Sequence, residues 1–368
     1  MPGPRSRRLE PLDFEDIAGF GGGDHLAAFS CFERSARALV EFRHGGRVAR
    51  PPTPALRTAA RGALHANVTT VQAARGFFET WFRPFRVVSE PPGGGFVTGY
   101  YQPCVPGSLA ETGDFRWPIL SRPSDLLSIA PSERPPDFPL GVTGARRLSN
   151  GSLVPYDDRR SIERRRLSPL VWLRDAVEAF LIQVQGSAEV TFPDGRRARL
   201  AYDGRNGLPY ASVGRILIET GEIDESAMSL ETLKAWLRAA GLGEGERGLE
   251  LMRQNRSFVF FRLVEDFDPE LGPVAGAGVA LTPLRSIAVD RTLWSYGLPF
   301  WIEANLPCAD ESPTPFRRLM IAQDTGSAIV GPARADLFFG SGEAAGARAG
   351  AIRHRAALTV LLPVGDEP

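Results

Sequence analysis

The chain has 368 residues, with 43 Lys and Arg side chains against 43 Asp and Glu side chains. A chain of this length can form two domains with separate hydrophobic cores. Because the formal net charge is zero, no overall electrostatic field favours nucleic acid or an anionic membrane as a partner. The three cysteines and four histidines are scattered along the chain, so their spacing predicts neither a disulfide framework nor a metal site.

The sequence contains no apolar run long enough to cross a bilayer. Residues Met1 to Ile17 include basic residues, prolines and acids but no apolar core of a signal peptide. No apolar segment precedes Cys31, so this cysteine is not a lipidation site. We therefore expect the chain as written to be soluble.

Two helical regions are predicted in the first part of the chain. Apolar residues recur at helical spacing after Asp24, which suits an N-cap, and predict one amphipathic helix. Cys31 lies inside this helix, where we interpret it as a small buried apolar residue rather than a reactive thiol. The second region runs from Pro54 to about Phe82 and ends before Pro84.

The pattern changes to β at Arg86, and Phe96 to Gln102 is a predicted strand that stops at Pro103. Tyr100 and Tyr101 are neighbours in it and would point to opposite faces, so at most one of them faces a cleft.

Residues 104–165 are rich in proline, serine and arginine and are predicted to form a domain crossing with long loops. The basic cluster from Arg159 to Arg166 is interpreted as a solvated face, with contact to an acidic ligand as the alternative.

The middle of the chain has a helix or strand at about 168–185. It is followed by a hairpin around the turn Pro193-Asp194-Gly195. The polar loop 202–215 comes next, and its Tyr, Asn and Ser side chains suit sugar hydroxyls better than phosphate or metal. For Asn206 a turn role is an equal alternative. Ser229 then opens a short helix.

The last third of the chain is predicted to be rich in strands, at 257–263, 278–290, 299–304, 319–322 and 358–362. Short strands separated by glycine turns favour a barrel over a doubly wound sheet.

We place the chemistry in the stretch from Gln323 to Gly340, where Asp324 and Asp336 lie among glycines and small residues. Asp336 precedes Leu337, and the apolar residues that follow could raise its pKa and keep it protonated as a general acid. The alternative is that both aspartates are turn residues that accept backbone N–H groups.

Six segments occur in this order along the chain: Thr98-Gly99-Tyr100-Tyr101, Gln185-Gly186-Ser187, Asn206 to Tyr210, Asn255 to Arg262, Ser286 to Asp290, and Asp324-Thr325-Gly326 through Asp336-Leu337-Phe338. Together they resemble the membrane-bound lytic murein transglycosylase A family. The resemblance extends from about Asp24 to Pro363 and implies a mainly β fold with N-terminal helices. It also implies a double-psi β-barrel from both ends of the chain, an inserted second β-barrel-like domain, and a glycan groove between them. The expected domains are 1–103, 104–248 and 249–368.

This family cleaves the β-1,4 bond between N-acetylmuramic acid and N-acetylglucosamine in peptidoglycan and forms a 1,6-anhydromuramic end without water. The resemblance implies that Asp336 is the single catalytic Asp and that Asp324 supports it, with no cofactor or metal. The expected substrate-binding residues are Thr98, Tyr100, Tyr101, Gln185, Gly186, Ser187, Asn206, Tyr210, Ser212 and Asp290.

The resemblance also implies where the protein acts and with what. The expected partners are peptidoglycan strands and other cell-wall enzymes, with no nucleic acid, and the expected state is a monomer. The expected location is the periplasm or the outer membrane, although the sequence displays no export signal.

Two other functions are compatible with the residues. Asp324-Thr325-Gly326-Ser327 imitates the motif of aspartic proteases, in which two carboxylates share one proton. The chain contains no second copy of this motif, so a protease would need a homodimer. A glycan-binding module without catalysis is the other alternative.

Overall fold

The computed structural model describes residues 8–41, 47–89, 94–130, 133–307 and 313–367. His44, Cys308 and part of the predicted turn 91–95 lie outside these residues. The chain divides into two compact units, Met1–Tyr101 with Pro269–Pro368, and Gln102–Asp268. We call them the split unit and the central unit.

Helices occur in both units. Their bounds are α1 (His25–Glu41), α2 (Pro54–His65), α3 (Val71–Trp81), α4 (Arg159–Glu163), α5 (Ala176–Gln185), α6 (Val213–Glu219), α7 (Leu230–Ala239), α8 (Arg247–Gln254) and α9 (Glu343–Gly350).

Strands account for most of the remaining regular structure. Their bounds are β1 (Arg8–Pro11), β2 (Phe82–Val88), β3 (Phe96–Gln102), β4 (Cys104–Pro106), β5 (Trp117–Leu120), β6 (Leu127–Ser128), β7 (Gly144–Arg147), β8 (Leu153–Pro155), β9 (Pro169–Leu173), β10 (Ser187–Thr191), β11 (Arg197–Arg205), β12 (Val259–Val264), β13 (Ser286–Val289), β14 (Pro299–Leu306), β15 (Thr314–Asp324), β16 (Arg334–Ser341) and β17 (Arg353–Pro363).

The split unit is built on a closed ring of strands. Around the ring, β17 pairs with β14, β14 with β15, β15 with β13, β13 with β16, β16 with β3, and β3 again with β17. Strands β2 and β1 continue the sheet from β17. Closure removes the unpaired edges that an open sheet would expose. The predicted mainly β fold with helices is confirmed, whereas the double-psi connection stays a prediction.

The N-terminal helices cover part of this ring. Helix α1 begins after Asp24, whose Oδ1 accepts a hydrogen bond from the N–H of Ala27 at 3.2 Å, as the sequence predicts. Phe29 and Phe32 of α1 pack against Phe77 of α3 at ring distances of 5.0 and 5.8 Å. Cys31 is fully buried, so its interpretation as a packed apolar residue is confirmed.

The predicted helical region from Pro54 to about Phe82 is confirmed, and a break within it divides it in two. It forms two helices, α2 and α3, each with a threonine N-cap, Thr53 and Thr70. Phe82 is already extended and starts β2. The hydroxyl cap at Thr70 satisfies a backbone N–H of the new helix and so stabilises a second start.

The central unit has three small sheets, in the orders β12-β11-β10-β4, β5-β9 and β6-β7-β8. The predicted hairpin is confirmed, because β10 and β11 pair antiparallel. The predicted boundary at 248 is too early, since β12 pairs with β11 and belongs to this unit. Residues 104–165 were predicted as loops, yet they contain β4 to β8 and α4.

The basic cluster 159–166 is mostly paired within the central unit. Arg164 reaches Glu244 at 3.1 Å and Arg165 reaches Asp125 at 3.0 Å. Arg159 is buried and donates to two backbone carbonyls. These contacts favour a structural role for the cluster over binding of an acidic ligand.

Among the described residues, no helix is both long and apolar enough to span a membrane. Within the same residues, no group of three or more His, Cys, Asp or Glu side chains is arranged to hold a metal ion.

Candidate active site

Strand β3 presents two polar side chains to one face. Thr98 and Tyr100 are two residues apart, so they share a face, while Tyr101 points to the other. Thr98 and Tyr100 contact the two aspartates of interest. Tyr101 packs beside Gly346 of α9, where an added Cβ would lie 2.7 Å from the tyrosine ring. Of the two tyrosines, Tyr100 is therefore the one on the aspartate side.

Asp336 lies on β16 and is half-buried. Its Oδ1 accepts a hydrogen bond from the hydroxyl of Thr98 at 2.5 Å. Burial raises the pKa of Asp336 above its ordinary 3.8, the positive charge of Arg334 and the Thr98 hydrogen bond oppose this, and the negative charge of Asp324 raises it further. A carboxyl group with a raised pKa can hold a proton and donate it.

Asp324 ends β15 and has a different environment. Its Oδ1 accepts from the N–H of Gly276 at 3.1 Å and lies 3.4 Å from Nη1 of Arg47. Its Oδ2 accepts from the hydroxyl of Tyr100 at 3.2 Å. Burial and the charges of Asp324 and Asp336 raise the pKa of Tyr100 well above its ordinary 10.0, so this phenol stays protonated and donates.

Ala288 separates the two aspartates. On β13 it is the register partner of Asp324 in β15 and also of Asp336 in β16. Adjacent strands are about 4.8 Å apart, so the two Cα atoms are roughly 10 Å apart. A methyl side chain at Ala288 leaves room between two carboxyl groups that act on each other electrostatically.

Gln323 anchors the strand end that carries Asp324. Its side chain is fully buried and donates to the carbonyl of Cys31 at 3.0 Å and the hydroxyl of Ser35 at 2.7 Å. Its Oε1 accepts from Ser286 of β13 at 2.5 Å. These bonds connect α1 to two strands of the ring and hold the backbone at Asp324 in place.

Asp290 is predicted to bind substrate, but its carboxylate organises a loop. One oxygen accepts from the N–H and the hydroxyl of Thr292, and the other accepts from the N–H of Gly331 at 2.8 Å. The side chain is 3% exposed. The structure thus supports a role in holding segments 290–292 and 331 together.

The side chain of Asn206 also has a structural role, because it hydrogen-bonds to backbone groups. It is completely buried; its Nδ2 donates to the carbonyls of Asp157 and Arg256, and its Oδ1 accepts from the N–H groups of Phe258 and Leu208. These bonds use both donors and both acceptor positions of the amide. These contacts favour the alternative turn role of Asn206 over the predicted sugar contact.

The remaining predicted residues of the central unit lie at or near the C-terminal end of α5 and the N-terminal end of α6. Gln185 ends α5, Gly186 is its C-cap with φ of 83°, and Ser187 begins β10. Ser212 caps α6 by accepting from the N–H of Arg215 at 3.3 Å. Tyr210 is half-buried, and burial raises its pKa. Their contact with a substrate stays a prediction.

The structure adds three residues that the sequence did not single out: Arg47, Gly276 and Arg334. Arg47 and Gly276 contact Asp324 from positions 277 and 48 residues away, so no local pattern points to them. Arg334 precedes Asp336 by two positions in one strand, and the two-residue period of a strand does place it on the same face.

Two sequence models of known domains match the chain. The MltA specific insert domain matches residues 96–262, and the 3D domain matches residues 285–362. The first range includes Thr98 and Tyr100, and the second includes Asp324 and Asp336.

Related proteins extend this similarity. A lytic murein transglycosylase A of Vibrio cholerae is 36% identical over 189 residues, covering 50% of this chain and 49% of that protein. The one of Escherichia coli K12 is 31% identical over 271 residues, covering 72% and 64%. The chain thus spans about half the length of the Vibrio cholerae relative and just under two thirds of the length of the Escherichia coli relative.

A solved structure is similar along nearly the whole chain. It is a membrane-bound lytic murein transglycosylase from Agrobacterium tumefaciens, 35% identical, with a TM-score of 0.85 over 97% of this chain and 98% of that one. With both domain matches and similarity over nearly the full length of a known member, the chain belongs to the membrane-bound lytic murein transglycosylase A family.

Proposed function

We propose that this protein is a lytic transglycosylase of peptidoglycan. It cleaves the β-1,4 bond between N-acetylmuramic acid and N-acetylglucosamine, and it leaves a 1,6-anhydromuramic end. The observation that carries this proposal is the pair of unlike aspartates: Asp336 has a raised pKa and one hydroxyl donor, whereas Asp324 is held by three donors.

Asp336 is the catalytic acid and base in this proposal. In its protonated form it gives its proton to the glycosidic oxygen, and the bond from that oxygen to C1 of the muramic acid breaks. The resulting carboxylate takes the proton of the C6 hydroxyl of the same sugar as O6 bonds to C1. The proton returns to Asp336 and no water is consumed.

The nucleophile, O6 of the muramic acid, is part of the substrate, so ring closure is an intramolecular step. An ordinary glycosidase uses a second carboxylate to attack C1 or to activate water. Asp324 is engaged by Gly276, Arg47 and Tyr100, which supports an electrostatic and orienting role for it. The same contacts count against the protease alternative, in which Asp324 would share a proton with a second aspartate.

Digestion of purified murein in ¹⁸O-labelled water tests the reaction. Mass spectrometry should find muropeptides that are lighter by one water than the products of hydrolysis and carry no label. Labelled reducing ends would make the protein a hydrolase, and cleaved peptides would make it a protease. Binding without any turnover would leave a glycan-binding module.

Asp336→Asn tests the assignment of the acid. We expect a loss of at least about 10²- to 10⁴-fold in the rate of murein lysis, because the amide cannot transfer the proton. The fold should be retained, since an amide oxygen can still accept from Thr98. Unchanged thermal unfolding and unchanged co-sedimentation with murein are the controls. Near-normal lysis by this variant would mean that the acid is another residue.

Peptidoglycan is the proposed partner, and the relatives that match are named as membrane-bound. We therefore propose that the protein acts in the periplasm or at the outer membrane. We also propose that it is a monomer. Fractionation of cells and analytical ultracentrifugation of the purified chain test these two points.

A further inference from the structure

Arg334 lies two residues before Asp336 on β16 and is fixed by several contacts. Its Nη2 donates to Oγ1 of Thr98 at 2.7 Å. Its Nη1 donates to the carbonyl of Phe96 at 3.4 Å and to the carbonyl of Ala335. The guanidinium also lies 5.5 Å from the ring centre of Phe96. These contacts hold the arginine through β3 and its own strand, without a hydrogen bond to Asp336.

The chemistry of these groups fixes the direction of the hydrogen bonds. A guanidinium has N–H donors and no acceptor, so Oγ1 of Thr98 must accept from Arg334. The hydroxyl has one proton of its own, and Oδ1 of Asp336 lies 2.5 Å away to accept it. Donation by Arg334 thus favours the arrangement in which Thr98 in turn donates to Asp336, because donor and acceptor then alternate along the chain of three groups.

We propose that Arg334 is a positioning residue, which fixes the Thr98 hydroxyl as a donor to Oδ1 of Asp336 and thereby leaves Oδ2 to carry the proton transferred in the reaction. This inference rests on the proposed transglycosylase function. It assigns the transferred proton to one oxygen atom of Asp336. Arg334 acts through Thr98 rather than by contact with the substrate.

The assignment has a consequence for both halves of the reaction. Oδ2 delivers the proton to the glycosidic oxygen, and Oδ2 then receives the proton of the C6 hydroxyl. Oδ1 keeps the Thr98 hydrogen bond throughout. The carboxyl group therefore needs no rotation between the two proton transfers, and both reacting oxygens of the substrate must come to the same atom.

A double-mutant cycle tests the role of Arg334. The variants are Arg334→Met, which keeps the length of the side chain but removes its donors, Thr98→Val, which removes the hydroxyl at constant shape, and the double variant. Arg86→Met is the matched control, because Arg86 is exposed on β2 of the same unit. Initial rates on murein give kcat and KM for each variant.

Each single variant should lower kcat by about 10- to 100-fold with KM changed by less than about twofold, as expected when an acid loses its orientation. The double variant should be no slower than the slower single variant, since both remove the same arrangement. Arg86→Met should match the wild type. Full activity of Arg334→Met, or losses that multiply in the double variant, would overturn the proposal.

Arg334→Lys and Thr98→Ser cover the case in which the first variants fail to fold. Thr98→Ser keeps the hydroxyl and should keep most of the activity. Arg334→Lys keeps the charge and one donor direction and should fall between the wild type and Arg334→Met. Equal kcat for Arg334→Lys and Thr98→Val would contradict the proposal.

Neutron diffraction from deuterated crystals at acid pH gives a readout independent of turnover. It should place deuterium on Oδ2 of Asp336 and place the Thr98 deuteron towards Oδ1. Deuterium on Oδ1 of Asp336 would contradict the inference even if the enzyme forms anhydro products. Conversely, labelled reducing ends from the wild type in ¹⁸O-water would refute the proposed function and leave this hydrogen-bond arrangement standing.

Discussion

Asp324 and Asp336 have the same side chain, but their surroundings differ and support different proposed roles. Asp336 has a half-buried carboxyl group beside one hydroxyl, whereas Asp324 accepts from a backbone N–H and a phenol and pairs with an arginine. The negative charge of Asp324 contributes to the raised pKa of Asp336. Two carboxyl groups on strands that flank β13 thus differ in the donors around them, which supports the different roles proposed for them.

Asp324→Asn should shift the pH dependence of lysis. In the proposed mechanism activity requires protonated Asp336, so we expect it to be lost as the pH rises through the pKa of that group. Removing the negative charge of Asp324 lowers the pKa of Asp336, and the alkaline limb of kcat/KM should move to lower pH. Asp194→Asn, in an exposed turn, should leave the limb where it is. A shift to higher pH would show that Asp324 does not act through its charge.

Part of this site was predictable from the sequence and part was not. Asp336 is predicted from its apolar neighbours and from the family resemblance. The strand period requires that at most one of Tyr100 and Tyr101 face a cleft, without deciding which, and Thr98 is named only through the resemblance. Arg47 reaches Asp324 from 277 residues away, and only the folded backbone brings them together. For Asn206 the sequence leaves a sugar contact and a turn role open, and only the folded backbone shows that its amide satisfies buried backbone groups.

At the scale of elements, the backbone of β3 at Gly99 closely approaches the backbone of α9 at Ala349. An added Cβ on Gly99 would lie 2.7 Å from the carbonyl oxygen and 2.8 Å from the Cα of Ala349. Those atoms belong to backbone and cannot rotate away. Gly99 lies between Thr98 and Tyr100, so the position of both side chains depends on this close approach.

Gly99→Ala should therefore reduce both stability and activity. We expect a loss of about 1–3 kcal/mol in the free energy of unfolding, typical of overpacking, together with slower lysis because β3 must move. Gly76→Ala is the matched control: it lies in α3, where an added Cβ meets nothing within 4 Å, and it should stabilise by about 0.5–1 kcal/mol. Denaturant unfolding measures both. Equal stabilities for the two variants would contradict the close-packing argument.

Local patterns predicted individual elements better than their partners. The hairpin of β10 and β11 joins residues close in sequence, and its turn residues identify it. The place of β13 between β15 and β16 depends on pairings between distant segments. The predicted strand 278–290 shortens to Ser286–Val289, because the preceding residues turn back on themselves, with Ala275 accepting from the N–H of Gly278.

At the scale of the whole molecule, the central unit has its own cores. One cluster includes Val171, Val190 and Phe261, and another includes Phe180, Leu217 and Leu249. All of these residues lie within Gln102–Asp268. A segment with its own apolar cores can fold without the rest of the chain.

Residues 102–268 expressed alone should therefore unfold cooperatively. The expected result is a single sigmoidal denaturation curve, with dispersed amide signals in a two-dimensional NMR spectrum. Val171→Ala, which truncates a fully buried side chain, should lower the transition midpoint of this fragment and of the full chain alike. A gradual curve without a baseline would show that the central unit depends on the split unit.

The ring of the split unit closes through β17, which pairs with β14, β2 and β3. These partners lie on both sides of the central unit in the sequence. On the ribosome, β2 and β3 emerge long before β17, and the whole central unit is synthesised between them. Strand β3, which carries Thr98 and Tyr100, lacks its partners on both edges until β16 emerges, and on one edge until residues 353–363 emerge. Assembly of the proposed catalytic face is therefore one of the last events of biosynthesis, and a chain interrupted before β17 would lack a complete candidate site.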